Sequence, residues 1–216
     1  MKARRADLAS LFMLLAVCGA AAWLYGSIPD PVPTHWNLSG QADGFTPKPW
    51  GVLIFPFLLA GVWVIFKLIP LVSPHGYRVD SFLRVVDILQ VTVLGCLSVI
   101  AIGAYLAAVG RADINTIVPL TIGVLLIILG NYLGKLRRNF FLGIRTPWTL
   151  ASEEVWNRTH RVGGYVFFFA GVVVGLGALA GISPLFTFSV AGAGALFTVF
   201  YSLWLYRRLE GLGPDD

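Results

Sequence analysis

The sequence predicts an all-α integral membrane protein built as a six-helix transmembrane bundle. Three observations lead there. Of 216 residues, 57% are hydrophobic and only 12% are charged, with a mean hydropathy of +0.78. Soluble domains carry about 25% charged residues, so this chain lacks the polar surface needed to stay in water. Six apolar stretches each reach the roughly 20 residues that a helix needs to cross a bilayer. The basic residues are segregated: fourteen of the sixteen fall on one side of those stretches.

The spans are expected at about Leu8–Ile28, Trp50–Val72, Phe82–Val109, Ile114–Leu133, Val162–Ile182 and Pro184–Tyr206. The first follows "MKARR" and is read as an uncleaved signal anchor. Only "GISP" separates the last two, which predicts a tight hairpin, with Pro184 in the first turn of the sixth helix. With the N-terminus inside, only Lys48 and Arg111 lie outside. The positive-inside rule then puts both termini in the cytoplasm. In such a protein a pI near 9.5 reflects topology and anionic lipid, so membrane lipids are expected partners and direct nucleic-acid binding is not.

The loop 29–49 is the outer connection. Pro29, Pro31, Pro33 and Pro47 disfavour helix there, and Gly40 and Gly44 supply turns. It is either a lid facing a ligand, with His35, Trp36, Asn37 and Asp43 as contacts, or a stiff connector anchored by Trp36.

Ionisable groups inside spans are costly and mark candidate sites. Asp87 lies within the third span, with Arg84 and Gln90 one turn to either side. A local pair with Arg84 would explain it. Asn131 is near the end of the fourth span. No ionisable group falls at mid-depth, which argues against a coupled transporter. Gly171 and Gly175, like Gly177 and Gly181, have the spacing that lets helices approach closely.

The cytoplasmic segment 134–164 contains the longest polar stretch, residues 139–164. Arg137, Arg138 and Arg145 suit anionic headgroups. Pro147 forces Thr146 out of the α region. Ser152 then caps a short cytoplasmic amphipathic helix between spans four and five, with Glu153 and Glu154 in its first turn, Arg158 paired to Glu154, and Trp156 and His160 on one face. Gly163 and Gly164 are expected to bend the chain into span five. The segment reads as a recognition surface, because Trp and Arg are enriched at interfaces. Arg145, Trp148, Trp156 and His160, with Asn139, Glu153 and Glu154, are the docking candidates. The competing reading is a membrane enzyme acting on lipid or peptide through Glu153, Glu154 and His160; a transporter ranks below it. No HExxH, CxxC or GxSxG occurs, and Cys18 and Cys96 sit in apolar runs. No catalytic set, cofactor or metal site is expected.

Residues 130–164, "GNYLGKLRRNFFLGIRTPWTLASEEVWNRTHRVGG", resemble the signature of the SdpI family of bacterial membrane proteins. The matching positions are Gly130, Asn131, Asn139, Gly143 to Leu150, Val155, Trp156, Thr159, His160 and Gly164. "PTHWNLSGQADGF", with Pro33, His35, Trp36, Gly40 and Asp43, resembles the module that often precedes it. The resemblance implies a module over residues 1–72 and an SdpI-like region over 73–216, in a multi-pass protein of the bacterial inner membrane. It implies immunity and signalling: a secreted antimicrobial peptide or envelope signal sensed or neutralised outside, and a cytoplasmic transcription regulator docked inside.

Overall fold

A computed structural model of the chain describes residues 4–37 and 39–211. Lys2, counted above among the inner basic residues, lies outside them. Among the described residues, six helices are long and apolar enough to cross a membrane. They are α1 (Arg5–Leu24), α2 (Trp50–Val72), α3 (Leu83–Ala108), α4 (Ile114–Leu133), α6 (Glu153–Leu179) and α7 (Pro184–Leu209), with the short α5 (Pro147–Ala151) before α6. A 3-10 turn at Val79–Phe82 leads into α3. The loop between α1 and α2 is more ordered than its prolines suggest: β1 (Val32–Trp36) and β2 (Ala42–Thr46) pair antiparallel.

The helix starts follow capping chemistry. Asp113 accepts from the Asn115 amide to open α4, Ser152 accepts from Val155 to open α6, and Pro184 stands in the first turn of α7. Phe12, Trp23, Phe57, Leu71, Tyr165, Leu176 and Phe200 are exposed on the outer faces. In a membrane that apolar girdle faces lipid, where it needs no further cover.

The helices alternate direction, so the bundle has a hairpin end and a signature end, the latter holding segment 134–160. The inner neighbours are α1 with α3, α2 with both, α3 with α4, α4 with α6, and α6 with α7. The closest approach is between α4 and α6. A Cβ at Gly130 would lie 2.6 Å from the Gly164 carbonyl oxygen, and one at Gly171 would lie 2.6 Å from that of Gly123. The two helices therefore meet backbone to backbone at two levels, as small residues permit in membranes. Gly171 and Gly175 do pack against α4, whereas Gly177 lies against Phe186 and Gly181 turns the chain at φ +70°.

Two expectations are corrected. The polar stretch after Ser152 is no separate amphipathic helix bending at Gly163 and Gly164. It forms the first turns of α6, which runs unbroken to Leu179. Both glycines serve packing instead: a Cβ at Gly163 would meet Ile144 at 2.6 Å, and one at Gly164 the Gly130 oxygen at 2.9 Å. Nor does Asp87 pair with Arg84, which is exposed. The Arg4 guanidinium lies 3.0 Å from Asp87, an electrostatic contact without hydrogen-bond alignment. Beside it Asp7 is buried and gathers Lys67 (2.8 Å), the Trp63 indole (3.2 Å) and the Gln90 carboxamide (3.4 Å). This clamp ties α1 to α2 and α3.

Gly171→Leu should therefore drive α4 and α6 apart and lower the melting temperature in detergent by many degrees. Gly175→Ala, whose new Cβ meets nothing within 4 Å, should leave it nearly unchanged.

Candidate functional site

At the signature end the chain leaves α4 at Leu133, loops through 134–146 and enters α5. Asn139 is fully buried and organises that loop. Its Oδ1 accepts from the amides of Phe141 and Leu142, each at 2.8 Å, and its Nδ2 donates to the carbonyls of Arg137 (2.8 Å) and Leu142 (3.1 Å). A carboxamide does this because it carries both donors and acceptors.

His160 holds the loop from the other side. The Ile144 amide donates to its Nε2 at 3.0 Å. That nitrogen must carry a lone pair, so the proton resides on Nδ1, which donates to the Trp156 carbonyl at 2.8 Å. The neutral ring is thus bonded at both nitrogens. It stacks on Trp156 at a centroid distance of 3.9 Å, and the Trp156 indole donates to the Leu136 carbonyl at 2.8 Å. Gly143, at φ +102°, passes so close that a Cβ there would stand 2.3 Å from Nε2. Only glycine suits both the backbone and the space.

The remaining bonds fasten this loop to its neighbours. Thr146 caps α5 and meets the Ser202 hydroxyl of α7 at 3.1 Å. The Ser152 hydroxyl donates to Glu210 at 2.7 Å. Arg138 donates to the carbonyls of Leu150 and Ala151 at the end of α5, each at 3.2 Å.

The docking candidates therefore divide. Trp156, His160 and Asn139 are buried and present no surface, a correction to their expected exposure. Their polar atoms are consumed inside, which is why a polar stretch packs beneath an apolar bundle. Arg145, Glu153 and Glu154 are exposed and Trp148 is half-buried. Arg145 donates to the Phe140 carbonyl at 2.6 Å, and Glu154 pairs with Arg158 at 2.5 Å. Of the polar groups expected in the spans, Asn131 is exposed and donates to the Ile127 carbonyl.

At the hairpin end the outer-loop candidates come together. His35 Nδ1 lies 2.5 Å from Asp43 across the strands. Asn37 turns the chain by accepting from the amides of Ser39 and Gln41. His35, Trp36 and Asn37 line a cavity of about 230 Å³ whose floor includes Phe55, Ile100, Val118 and Phe188; Asp43 does not line it and reaches it only through His35. Sequence reasoning missed Asn115. Its carboxamide oxygen is buried without a partner on the wall of this cavity and presses against Gly40. Two residues after a cap, Asn115 reads as ordinary helix-start polarity, so no signal marked it.

His160→Ala would leave the Ile144 amide buried without an acceptor and remove the stack on Trp156. A loss of about 2–3 kcal/mol is expected in reversible unfolding. Gly143→Ala should displace the imidazole, and nitrogen-15 spectra of the wild type should show the Nδ1–H tautomer.

Comparison with known proteins follows the same two regions. Residues 135–202 match the model of the SdpI/YfhL protein family, and residues 12–60 match a domain of unknown function, DUF1648. Over 152 residues, 70% of each chain, the sequence is 27% identical to the immunity protein SdpI of Bacillus subtilis (strain 168). No solved structure matches. The loop locked by Asn139 and His160 falls inside the first matched region. The chain is a multi-pass membrane protein that is similar to the SdpI/YfhL family over residues 135–202 and to DUF1648 over residues 12–60.

Proposed function

We propose that this chain is a membrane immunity protein that engages an apolar secreted peptide at its hairpin end and docks a cytoplasmic regulator at its signature end. The observation that carries the reading is the likeness to an immunity protein along 70% of the chain. The cavity roofed by His35, Trp36 and Asn37 supports the peptide part of the reading, because its floor is apolar and suits an apolar side chain. The division into a module at 1–72 and a membrane region at 73–216 belongs to the same reading. So does the orientation, with both termini and Arg145, Trp148, Glu153 and Glu154 on the cytoplasmic side. These four residues form the docking surface. Enzyme chemistry is disfavoured because His160 spends both ring nitrogens on structure and the carboxylates of Glu153 and Glu154 face solvent.

Expressed in a peptide-sensitive bacterium, the chain should raise survival against the apolar peptide fraction of spent medium from its source organism. Trp36→Ala/Asn115→Ala, at equal membrane levels, should lose about tenfold or more of that protection. Protection unchanged in the double variant would remove the cavity from the mechanism, and none in the wild type would remove the immunity reading. For docking, the solubilised protein should retain a transcription regulator from the source organism's cytosol, and Arg145→Ala/Trp148→Ala should release it. Equal retention by both would rule out this surface.

A further inference from the structure

We propose that the groove between the signature-side ends of α4 and α6 binds an anionic phospholipid, independently of the function proposed above. The groove encloses about 470 Å³. Its floor carries no side chains, because Gly130 and Gly164 meet backbone to backbone beneath it. Its walls are Phe168, Phe169 and Tyr165, the last two more than 60% exposed. An acyl chain fits a strip of that character, where nothing from the protein fills the space.

Charge selects the headgroup. Lys135 and Arg161 stand together at the mouth: a Cβ at Gly134, next to Lys135, would lie 3.8 Å from the Arg161 Cα. Neither cation is paired with a carboxylate among the described residues, and no acidic residue lines the groove. The Lys135 ammonium rests 4.3 Å from the Tyr132 ring centre, a contact with a neutral ring that leaves its charge uncompensated. Two cations above an apolar cleft match a phospholipid in order, with phosphate at the rim and chain below. Arg161 offers the planar fork that suits phosphate. A zwitterionic lipid would bring its own ammonium to this doubly positive rim, so a net-negative headgroup such as phosphatidylglycerol is selected.

The test is native mass spectrometry of the full chain in detergent with equal phosphatidylglycerol and phosphatidylcholine. The wild type should retain the former preferentially. Each cation is worth about fivefold near anionic lipid, so Lys135→Ala/Arg161→Ala should lose about 25-fold of the preference. Gly134→Leu keeps every charge, its Cβ meets Arg161 only at the ordinary contact distance of 3.8 Å, and its longer side chain would occupy the groove, so it should lose the preference too. Arg207→Ala/Arg208→Ala removes the same charge at the same end of the bundle, outside the groove, and should keep it. The proposal is overturned if the wild type holds both lipids equally, or if the Arg207/Arg208 variant loses as much as the Lys135/Arg161 one. It is also overturned if glycerol 3-phosphate alone displaces the lipid, which would mark a free-phosphate site, or if a second copy of the chain occupies the groove. Should Gly134→Leu fail to fold, the two charge variants decide.

Discussion

A buried imidazole must satisfy two nitrogens, and in this protein that requirement shapes one end of the bundle. His160 accepts from the Ile144 amide and donates to the Trp156 carbonyl. Each bond constrains a different element: the first pins the loop after α4, the second fixes the ring on α6. Trp156 follows, because its indole then reaches the Leu136 carbonyl. Asn139 closes the same loop from within. Removing any partner would strand a buried polar group, which costs more than a typical hydrogen bond contributes. The arrangement therefore behaves as one lock.

That lock is joined to the rest by helices in unusually close contact. α4 and α6 touch through glycine backbones at two levels. α6 begins at the lock, while α4 begins at the cavity wall with Asn115 and Val118. A peptide that shifted α4 at the hairpin end would have to move α6, and with it the rim that carries Glu153 and Glu154. Signalling across the membrane requires two such bundle states that the two partners prefer differently. The clamp of Asp7 with Lys67, Trp63 and Gln90 holds α1 to α2 and α3 at the same end as the lock. One half of the bundle is thus tied by polar side chains and the other by bare backbone.

The spans were legible because apolar length is a one-dimensional property. Capping by Ser152 and the role of Pro184 were legible for the same reason: each acts within a few residues. Partners distant in sequence were not. Nothing local distinguishes Arg84 from Arg4 as the neighbour of Asp87, since the choice depends on where α1 packs. Trp156 and His160 were recognised as sharing a face, but their spacing does not say whether that face looks out or in. A recognition surface was expected because Trp and Arg are enriched at interfaces, whereas burial follows from complete hydrogen bonding. Gly163 and Gly164 were read as a bend because two adjacent glycines favour one, and the nearness of Gly130 to Gly164 was visible only in three dimensions.

Hydrogen–deuterium exchange of the protein in lipid nanodiscs, followed at single amides, tests the lock most directly. The amides of Phe141, Leu142 and Ile144 lie in a loop outside any helix, yet each donates to a buried side chain. They should exchange as slowly as the helical amides of α4 and α6, and His160→Ala should release Ile144 while the helices stay protected. Exchange at free-loop rates in the wild type would contradict the account, leaving segment 134–160 an open surface rather than a locked base.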